Sequence, residues 1–290
     1  MGYVLKGQNT VSHGPEHLPE FDDPPVVETV LSAQFEPLPS VQTAHLGLLW
    51  GEYRASFPKV GEHPALDPVI EQFPERTTGR IGLKLQTFEN PPMPRLSFAN
   101  EQGNEMIQVQ NDRFIKNWRK EGDGEQYPRY DKTIRPNFDR DFEIFLAFLE
   151  KNRLAAPRVN QCEVTYVTHI LTGKGWERYG DLEKIFTFWR SPDATPPGPP
   201  EDLRLHTRFI IPGDAGKPIG RLHVDLQPAI RVSDNLPMYV LHLTARGQVG
   251  DGIAFFDVGR QWIVKTFKRL TTESMHNIWR IKNHAGCGNC

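Results

Sequence analysis

The sequence has few cysteines: Cys162, Cys287 and Cys290 are the only ones among 290 residues. Three thiols cannot form a disulfide framework for a chain of this length, which favours a reducing, cytoplasmic location. No apolar run approaches the ~20 residues needed to span a bilayer, so no membrane association is expected. The first residues also lack the basic and apolar regions of a secretory signal.

The chain carries little net charge, because 34 Lys and Arg against 36 Asp and Glu give -2 at pH 7. A nucleic-acid partner would therefore need a local basic patch. The sequence also lacks a glycine-rich phosphate loop, a dinucleotide-binding fingerprint, a nucleophile elbow and an HExxH zinc motif. These absences lean against an enzyme, and no cofactor is expected.

Apolar periodicity divides the chain into two similar halves. The first half is predicted to hold a strand at 26–35, a helix through Leu46 to Phe57, strands at 80–87, 95–100, 105–110 and 113–118, and a helix at 139–152. The second half is predicted to hold a strand after Pro157, a helix with Leu182, Ile185, Phe186 and Trp189 in register, strands at 203–211, 220–226 and 239–246, and a helical region at 253–282 with a break at Thr271-Thr272.

Three short landmarks recur in the same order in both halves. They are Pro25-x-Val27 with Pro157-x-Val159, Arg95-Leu96-x-Phe98 with Arg221-Leu222-x-Val224, and Phe138-Asp139 with Phe256-Asp257. They predict an α+β fold with a duplicated β-α-β(3–4)-α unit, in which an antiparallel curved sheet carries helices on one face. By analogy alone, this topology resembles the TATA-binding-protein fold. The predicted division is a flexible leader at 1–22, halves at 23–153 and 154–282, and a cysteine-containing tail at 283–290.

Strand alternation leaves the face of the sheet opposite the helices polar. The side chains predicted there are Arg204, His206, Arg208, Arg221, His223, Asp225, His242 and Thr244 in the second half, and Arg95, Ser97, Gln108 and Gln110 in the first. Such a surface suits an anionic or hydrogen-bonding partner. The alternative is a solvated outer face, which antiparallel sheets usually have.

The stretch from Asn111 to Phe138 interleaves basic and aromatic side chains, which can stack on bases or clamp carboxylates. In the alternative interpretation, acidic residues of the same stretch neutralise it, and it folds over the sheet as a self-satisfied loop. Together with the polar face, it supplies the predicted partner-binding residues, which are Arg113, Trp118, Arg119, Tyr127, Arg129, Tyr130, Gln108, Gln110, Arg208 and Arg221.

Two groups of residues could bind zinc or another transition metal. The first is His206, His223 and His242, which neighbouring strands would bring to one sheet face. The second is His284, Cys287 and Cys290 in the tail, where a closed zinc site would need a fourth ligand. The alternatives are surface histidines and a tail without a metal. Cys162 alternates with apolar residues and is expected in the core.

Several segments resemble those of a known bacterial family. These segments are PPVVETVLSAQFEPL, EMIQVQNDRFIKNWRK followed by GDGEQYPRY, and WIVKTFKRLTTESMHNIWR. The family is sporadically distributed, contains proteins of about this length, and has no established activity, so the resemblance assigns no catalytic residue. Its patchy distribution implies an accessory role in a bacterial defence, toxin-neutralising or mobile-element system.

The leading hypothesis is a non-catalytic accessory protein that binds a protein partner through the polar face and the 111–138 segment. One alternative is a nucleic-acid-binding protein that uses the same face, with an affinity that falls steeply with salt. Another is a metal-dependent enzyme or metal-binding protein that uses the histidine cluster.

Overall fold

The computed structural model describes residues 17–73, 93–122, 124–190, 198, 200–250 and 252–282. The first half contains β1 (Val26–Phe35), α1 (Thr43–Tyr53), β2 (Lys59–His63), β3 (Arg95–Ala99), β4 (Glu105–Gln110), β5 (Arg113–Arg119), a π-helical turn (Tyr130–Ile134) and α2 (Arg135–Lys151). The second half contains β6 (Val159–Leu171), α3 (Leu182–Ile185), β7 (Leu205–Pro212), a 3-10 turn (Asp214–Gly216), β8 (Pro218–Ile230), β9 (Pro237–Gly247), α4 (Phe255–Leu270) and α5 (Glu273–Ile278).

The nine strands found in the described residues form one antiparallel sheet with the order β2-β3-β4-β5-β1-β6-β9-β8-β7. At its centre β1 and β6 pair along most of their length, with Thr29 opposite Tyr166 and Leu31 opposite Val164. In each half the first strand pairs with the last, β1 with β5 and β6 with β9. The predicted α+β class and the antiparallel, curved sheet are confirmed.

One continuous apolar core lies between the helices and one face of the sheet. The strands supply alternate residues to it, such as Leu222 and Val224 of β8. The helices α1, α2 and α4 cover it and contribute, among others, Leu49, Phe145 and Ile263. Both halves therefore share this core. The opposite face of the sheet carries mainly polar side chains, together with a smaller buried apolar cluster of Val167, Met238 and Val240.

Local signals explain where the helices begin and end. Pro136 stands in the first turn of α2, where a missing backbone N–H costs nothing. At the end of α4, Thr271 turns to extended backbone, and the hydroxyl of Thr272 accepts a hydrogen bond from the Met275 backbone N–H to start α5. The predicted break at these two threonines is confirmed. No helix in the described part of the chain is long and apolar enough to cross a bilayer.

The predicted helix through Trp189 is wrong beyond its first turn. The helix α3 ends at Ile185, and Phe186 then adopts extended backbone and pairs with Thr271 in an isolated β-bridge. The next residue, Thr187, donates its backbone N–H to the Leu270 carbonyl at 3.0 Å. These bonds to the end of α4 replace the helical ones, so tertiary pairing overrides the apolar periodicity.

Three other stretches differ from the prediction or cannot be compared with it. The predicted strand at 80–87 lies outside the described residues. The edge strand β2 was not predicted, because Lys59–His63 is largely exposed and shows no apolar alternation. Within the predicted leader, Phe21 is buried and forms a bridge with Ile281, so residues 17–22 include part of the packed structure.

Candidate functional site

An extended segment, residues 64–73, crosses the polar face of the sheet, and we call it the strap. It directly follows β2 and contains no helix or strand. It passes over six strands, from β4 through β5, β1, β6 and β9 to β8. It forms hydrogen bonds with residues on five of them, namely Gln110, Arg113, Gln34, Gln161 and Arg221. Part of the face that the sequence assigned to a partner is therefore covered by the chain itself.

Three glutamine side chains bind the strap through its backbone. The amide of Gln110 accepts a hydrogen bond from the Leu66 backbone N–H at 3.0 Å and donates one to the Leu66 carbonyl at 2.9 Å. Two further side-chain oxygens accept from strap N–H groups at 2.9 Å, in the pairs Gln34 with Val69 and Gln161 with Glu71. Since these bonds involve main-chain atoms of the strap, they would suit an extended segment of almost any sequence.

Two arginines add bonds to strap carbonyls. The guanidinium of Arg113 donates to the Asp67 carbonyl at 3.0 Å, and that of Arg221 donates to the Gln72 carbonyl at 3.3 Å. Arg221 also lies over the Phe73 ring, with 4.6 Å between the guanidinium carbon and the ring centroid. The strap is thus bound at both ends of its path and between them.

Glu71 anchors the strap through its side chain, which is 7% exposed. Its carboxylate accepts a hydrogen bond from Nε2 of His223 at 2.6 Å and another from Nη1 of Arg221. Nη1 of Arg246 lies 4.0 Å from the same carboxylate, and Arg246 also pairs with Glu163 on β6. A carboxylate held by an imidazole and guanidinium groups makes charge-assisted bonds, which are stronger than the neutral amide bonds along the strap.

The pKa values of this face indicate that it favours negative charge. Burial alone would raise the pKa of Glu71, but the hydrogen bonds and positive charge of His223 and Arg221 outweigh it and hold the pKa below its ordinary value of 4.5. Burial lowers the pKa of the Arg113 guanidinium. Burial, together with the charge of Arg113, also lowers the pKa of Arg95. Burial therefore disfavours the charged form of both guanidinium groups, and the carboxylates of Asp112 and Glu163 partly offset it at Arg113.

We expect the strap to loosen in acid before the sheet unfolds. Because the pKa of Glu71 is lowered in the folded state, its carboxylate stabilises that state above the ordinary pKa of 4.5, and this contribution is lost as the pH falls through the lowered value. Amide hydrogen exchange, corrected for intrinsic rates, should accelerate at residues 66–72 relative to β1 between about pH 7 and about pH 3.

The matched control for this experiment is Glu71→Gln, which keeps the side-chain size but removes the titrating group. It should show fast exchange of the strap at neutral pH and little further change in acid. If the strap amides of the unmodified protein are equally protected from hydrogen exchange at neutral and acidic pH, the anchoring role of Glu71 is contradicted.

The predicted partner-binding residues of the polar face divide into two groups. Gln110, Arg113 and Arg221 contact the strap directly, as described above. Gln108 is buried and donates to the side-chain oxygen of Asn117 at 2.8 Å, so it braces two neighbouring strands. Arg208 is exposed on β7 and stands opposite His223 in the strand register.

The basic and aromatic residues of the 111–138 segment do not form one surface. Trp118 is buried on the helix side of the sheet, and its indole N–H donates to Glu125 at 3.1 Å. Arg119 is exposed and pairs with Glu121 at 2.5 Å. Acidic residues of the same segment thus satisfy two of its predicted partner-binding side chains. Tyr130 is also buried, and its hydroxyl donates to Asp257 at 2.9 Å.

Tyr127, Arg129 and Tyr130 line a cavity of about 190 Å³ between the sheet and α4. The Tyr127 hydroxyl lies 2.9 Å from the hydroxyl of Tyr166, and burial raises the pKa of Tyr127. Arg129 donates to the Phe21 carbonyl at 2.8 Å, which closes one side of the cavity. These three predicted residues therefore face the helices, away from the strap.

The predicted histidine cluster lies on three adjacent strands, β7, β8 and β9. His206 bonds to Asp225 at 2.6 Å, whereas His223 bonds to Glu71 of the strap. The ring centroids of His206 and His223 lie 6.3 Å apart. His206 and His242 line one open surface over β7 to β9. Among the described residues, no group of three or more His, Cys, Asp or Glu side chains is placed to hold a metal ion.

The cysteines fall into two classes. Cys162 is fully buried in β6, as expected, and its thiol contacts the Gly252 carbonyl at 3.6 Å. Burial raises the pKa of Cys162 to about 12, so the thiol stays protonated and unreactive at neutral pH. The other predicted metal ligands, His284, Cys287 and Cys290, lie outside the described residues.

Sequence reasoning missed four residues of the site. Gln34 and Gln161 are polar positions within central strands, and Gln34 stands out because it separates two core residues, Ala33 and Phe35. That interruption of an apolar run was a usable signal. The other two were Glu71, which lies on a segment without periodicity, and Arg246, at the end of β9.

Two comparisons with known proteins found no match for this chain. A scan of the sequence against protein-family models gave no match, and a search of curated proteins found no significant similarity. The site is therefore characterised by its own geometry, a row of glutamine, arginine and histidine side chains that holds an extended chain across a sheet.

Proposed function

We propose that the protein is a non-catalytic binding protein that engages a protein partner through the polar face of its sheet. We also propose that it serves a bacterial defence, toxin-neutralising or mobile-element system in the cytoplasm. The binding role is supported by the face described above. The accessory role is supported by the sequence resemblance, and the cytoplasmic location by the shortage of cysteines.

The strap is the observation that carries the binding role. Gln34, Gln110 and Gln161 hold an extended chain by its backbone, while Arg221 and His223 hold a carboxylate. These side chains project from paired strands, so their donors and acceptors are fixed before a ligand arrives, which reduces the entropy cost of binding. Beyond the strap, the same face continues over β7 to β9 as an open surface.

We further propose that the two halves arose from a duplicated unit. Each half runs from a central strand through a helix and outer strands to a last strand that pairs with the first. Its closing helix then packs on the common core. In the described residues the first half has five strands and the second has four, so the copies differ at the outer edge. The likeness to the TATA-binding-protein topology remains an analogy.

Affinity purification with chemical crosslinking from the native host tests the binding role. We expect the unmodified protein to recover a protein whose crosslinks map to the polar face. Arg221→Gln should reduce that recovery by about tenfold or more, because it removes the charged donor that holds a carboxylate on this face. Lys151→Gln makes the same charge change at an exposed position on α2 and should have no effect.

Equal recovery by the unmodified protein and Arg221→Gln would rule out this surface. Nuclease treatment and a salt titration provide the second arm of the experiment. A partner lost after nuclease treatment, with an affinity that falls steeply with salt, would replace the protein partner with a nucleic acid.

A further inference from the structure

The strap contributes little to the apolar packing of the molecule. No residue of the strap belongs to the buried core, and Val69 and Ile70 are 40% and 52% exposed. Burial of apolar surface supplies most of the stability of a packed segment. The strap is held instead by hydrogen bonds and one ion-pair cluster, so it should open at a lower cost than the strands beneath it.

The contacts of the strap define the kind of segment that could take its place. The bonds from Gln110, Gln34 and Gln161 involve backbone atoms and impose an extended conformation. The pocket formed by Arg221 and His223 requires a carboxylate. A segment without an acidic side chain would leave the buried guanidinium of Arg221 without the carboxylate that Glu71 supplies.

We propose that the polar face is a receptor groove for an extended peptide segment with an acidic side chain, and that the strap occupies this groove until a segment of the partner replaces it. This inference rests on the proposed function, because it specifies which part of a protein partner is bound. Replacement exchanges similar hydrogen bonds, so the incoming segment gains affinity from contacts beyond the strap. Competition from the strap reduces the apparent affinity to the intrinsic affinity multiplied by the fraction of molecules in which the strap is open.

A labelled peptide with the sequence of residues 62–73 tests the groove. The receptor is the full chain carrying Glu71→Ala, in which the strap has lost its anchor. We expect saturable binding by fluorescence anisotropy, and binding about 30-fold weaker or more when the peptide itself carries Glu71→Gln. The unmodified protein should bind the acidic peptide more weakly than the Glu71→Ala receptor, because its own strap competes.

Two receptor variants separate a specific groove from general charge attraction. Adding Arg221→Gln to the Glu71→Ala receptor should weaken peptide binding by a similar factor. Adding Lys151→Gln removes the same charge from an exposed position on α2, on the helix side of the sheet, and should leave binding unchanged. Circular dichroism establishes that each receptor is folded, and Glu71→Gln, which keeps the side-chain size, replaces Glu71→Ala if that variant does not fold.

Equal binding of the acidic and amide peptides would overturn the proposal, as would equal binding to the unmodified protein and the Glu71→Ala receptor. If no receptor binds the peptide, but partner recovery still depends on Arg221, the replaceable strap is rejected while the binding function stands. A dimer of the unmodified chain on size exclusion that is lost in Glu71→Ala would assign the groove to the strap of a second copy and reject the partner segment.

Discussion

Replacing Lys116 with methionine should lower the free energy of unfolding by about 3–5 kcal/mol. The ammonium group lies 2.6 Å from Asp141 and 2.8 Å from Glu105, and the Lys116 side chain is only 5% exposed. It also lies 4.3 Å from the centroid of the Phe57 ring. Without the ammonium group, the buried Asp141 carboxylate loses its lysine partner while Glu105 remains nearby. Urea denaturation followed by circular dichroism measures the loss.

The matched control is Lys151→Met, which breaks an ion pair on the surface. Lys151 lies 3.0 Å from Glu52, and its side chain is 72% exposed, so the expected loss is under about 1 kcal/mol. If both substitutions cost the same, the buried pair would contribute no more than an exposed one. Adding Asp141→Leu to Lys116→Met should restore part of the stability, because it removes the buried carboxylate that then has only Arg140 as an ion-pair partner.

Replacing Phe138 with alanine should cost about 3–5 kcal/mol, the range for a buried phenylalanine whose removal leaves a cavity. Phe138 is fully buried in α2, and its ring centroid lies 4.8 Å from that of Phe256 in α4. It also lies 5.6 Å from the rings of Phe114 and Phe142. The side chain therefore joins the helices of both halves.

This position also tests whether the halves unfold together. Because Phe138 and Phe256 lie in one core, we expect a single unfolding transition by circular dichroism and by tryptophan fluorescence, shifted to lower denaturant in Phe138→Ala. Phe188→Ala is the control, since its side chain is 41% exposed and should cost much less. Two separate transitions would show that the halves are independent domains.

Strand alternation could be predicted from the sequence because its two-residue period is a local property of the chain. Leu222 and Val224 lie in the core, while Arg221 and His223 between them reach Glu71 on the opposite face. The same reasoning placed Gln110 on the polar face. The strand patterns therefore identified the correct face and several of its side chains.

Long-range pairing could not be predicted in the same way. The apolar spacing from Leu182 to Trp189 fits a helix, but the chain after Ile185 bonds to the end of α4. Those partners lie far along the sequence, and nothing near Phe186 indicates them. The prediction that the basic and aromatic residues of the 111–138 segment share one surface was wrong for a related reason. Alternation along β5 places Trp118 on the helix side of the sheet and Arg113 on the strap side.

The strap was the least predictable part of the site. Pro64 and Pro68 exclude a regular helix, and the segment has no alternation. Glu71 meets Arg221, which lies 150 residues further along the chain. Only the assembled sheet brings these charges together, so composition and spacing gave no indication that the polar face was covered.

The pairing of β1 with β6 at the centre of the sheet determines how truncated forms of the protein should behave. Nine residue pairs join these strands across the middle of the sheet. A fragment cut between the halves would expose the full main-chain ladder of β1 or β6 as a new edge. Unpaired edges of this kind recruit other strands. Truncated products should therefore self-associate. The protein is best expressed and labelled as an uninterrupted chain.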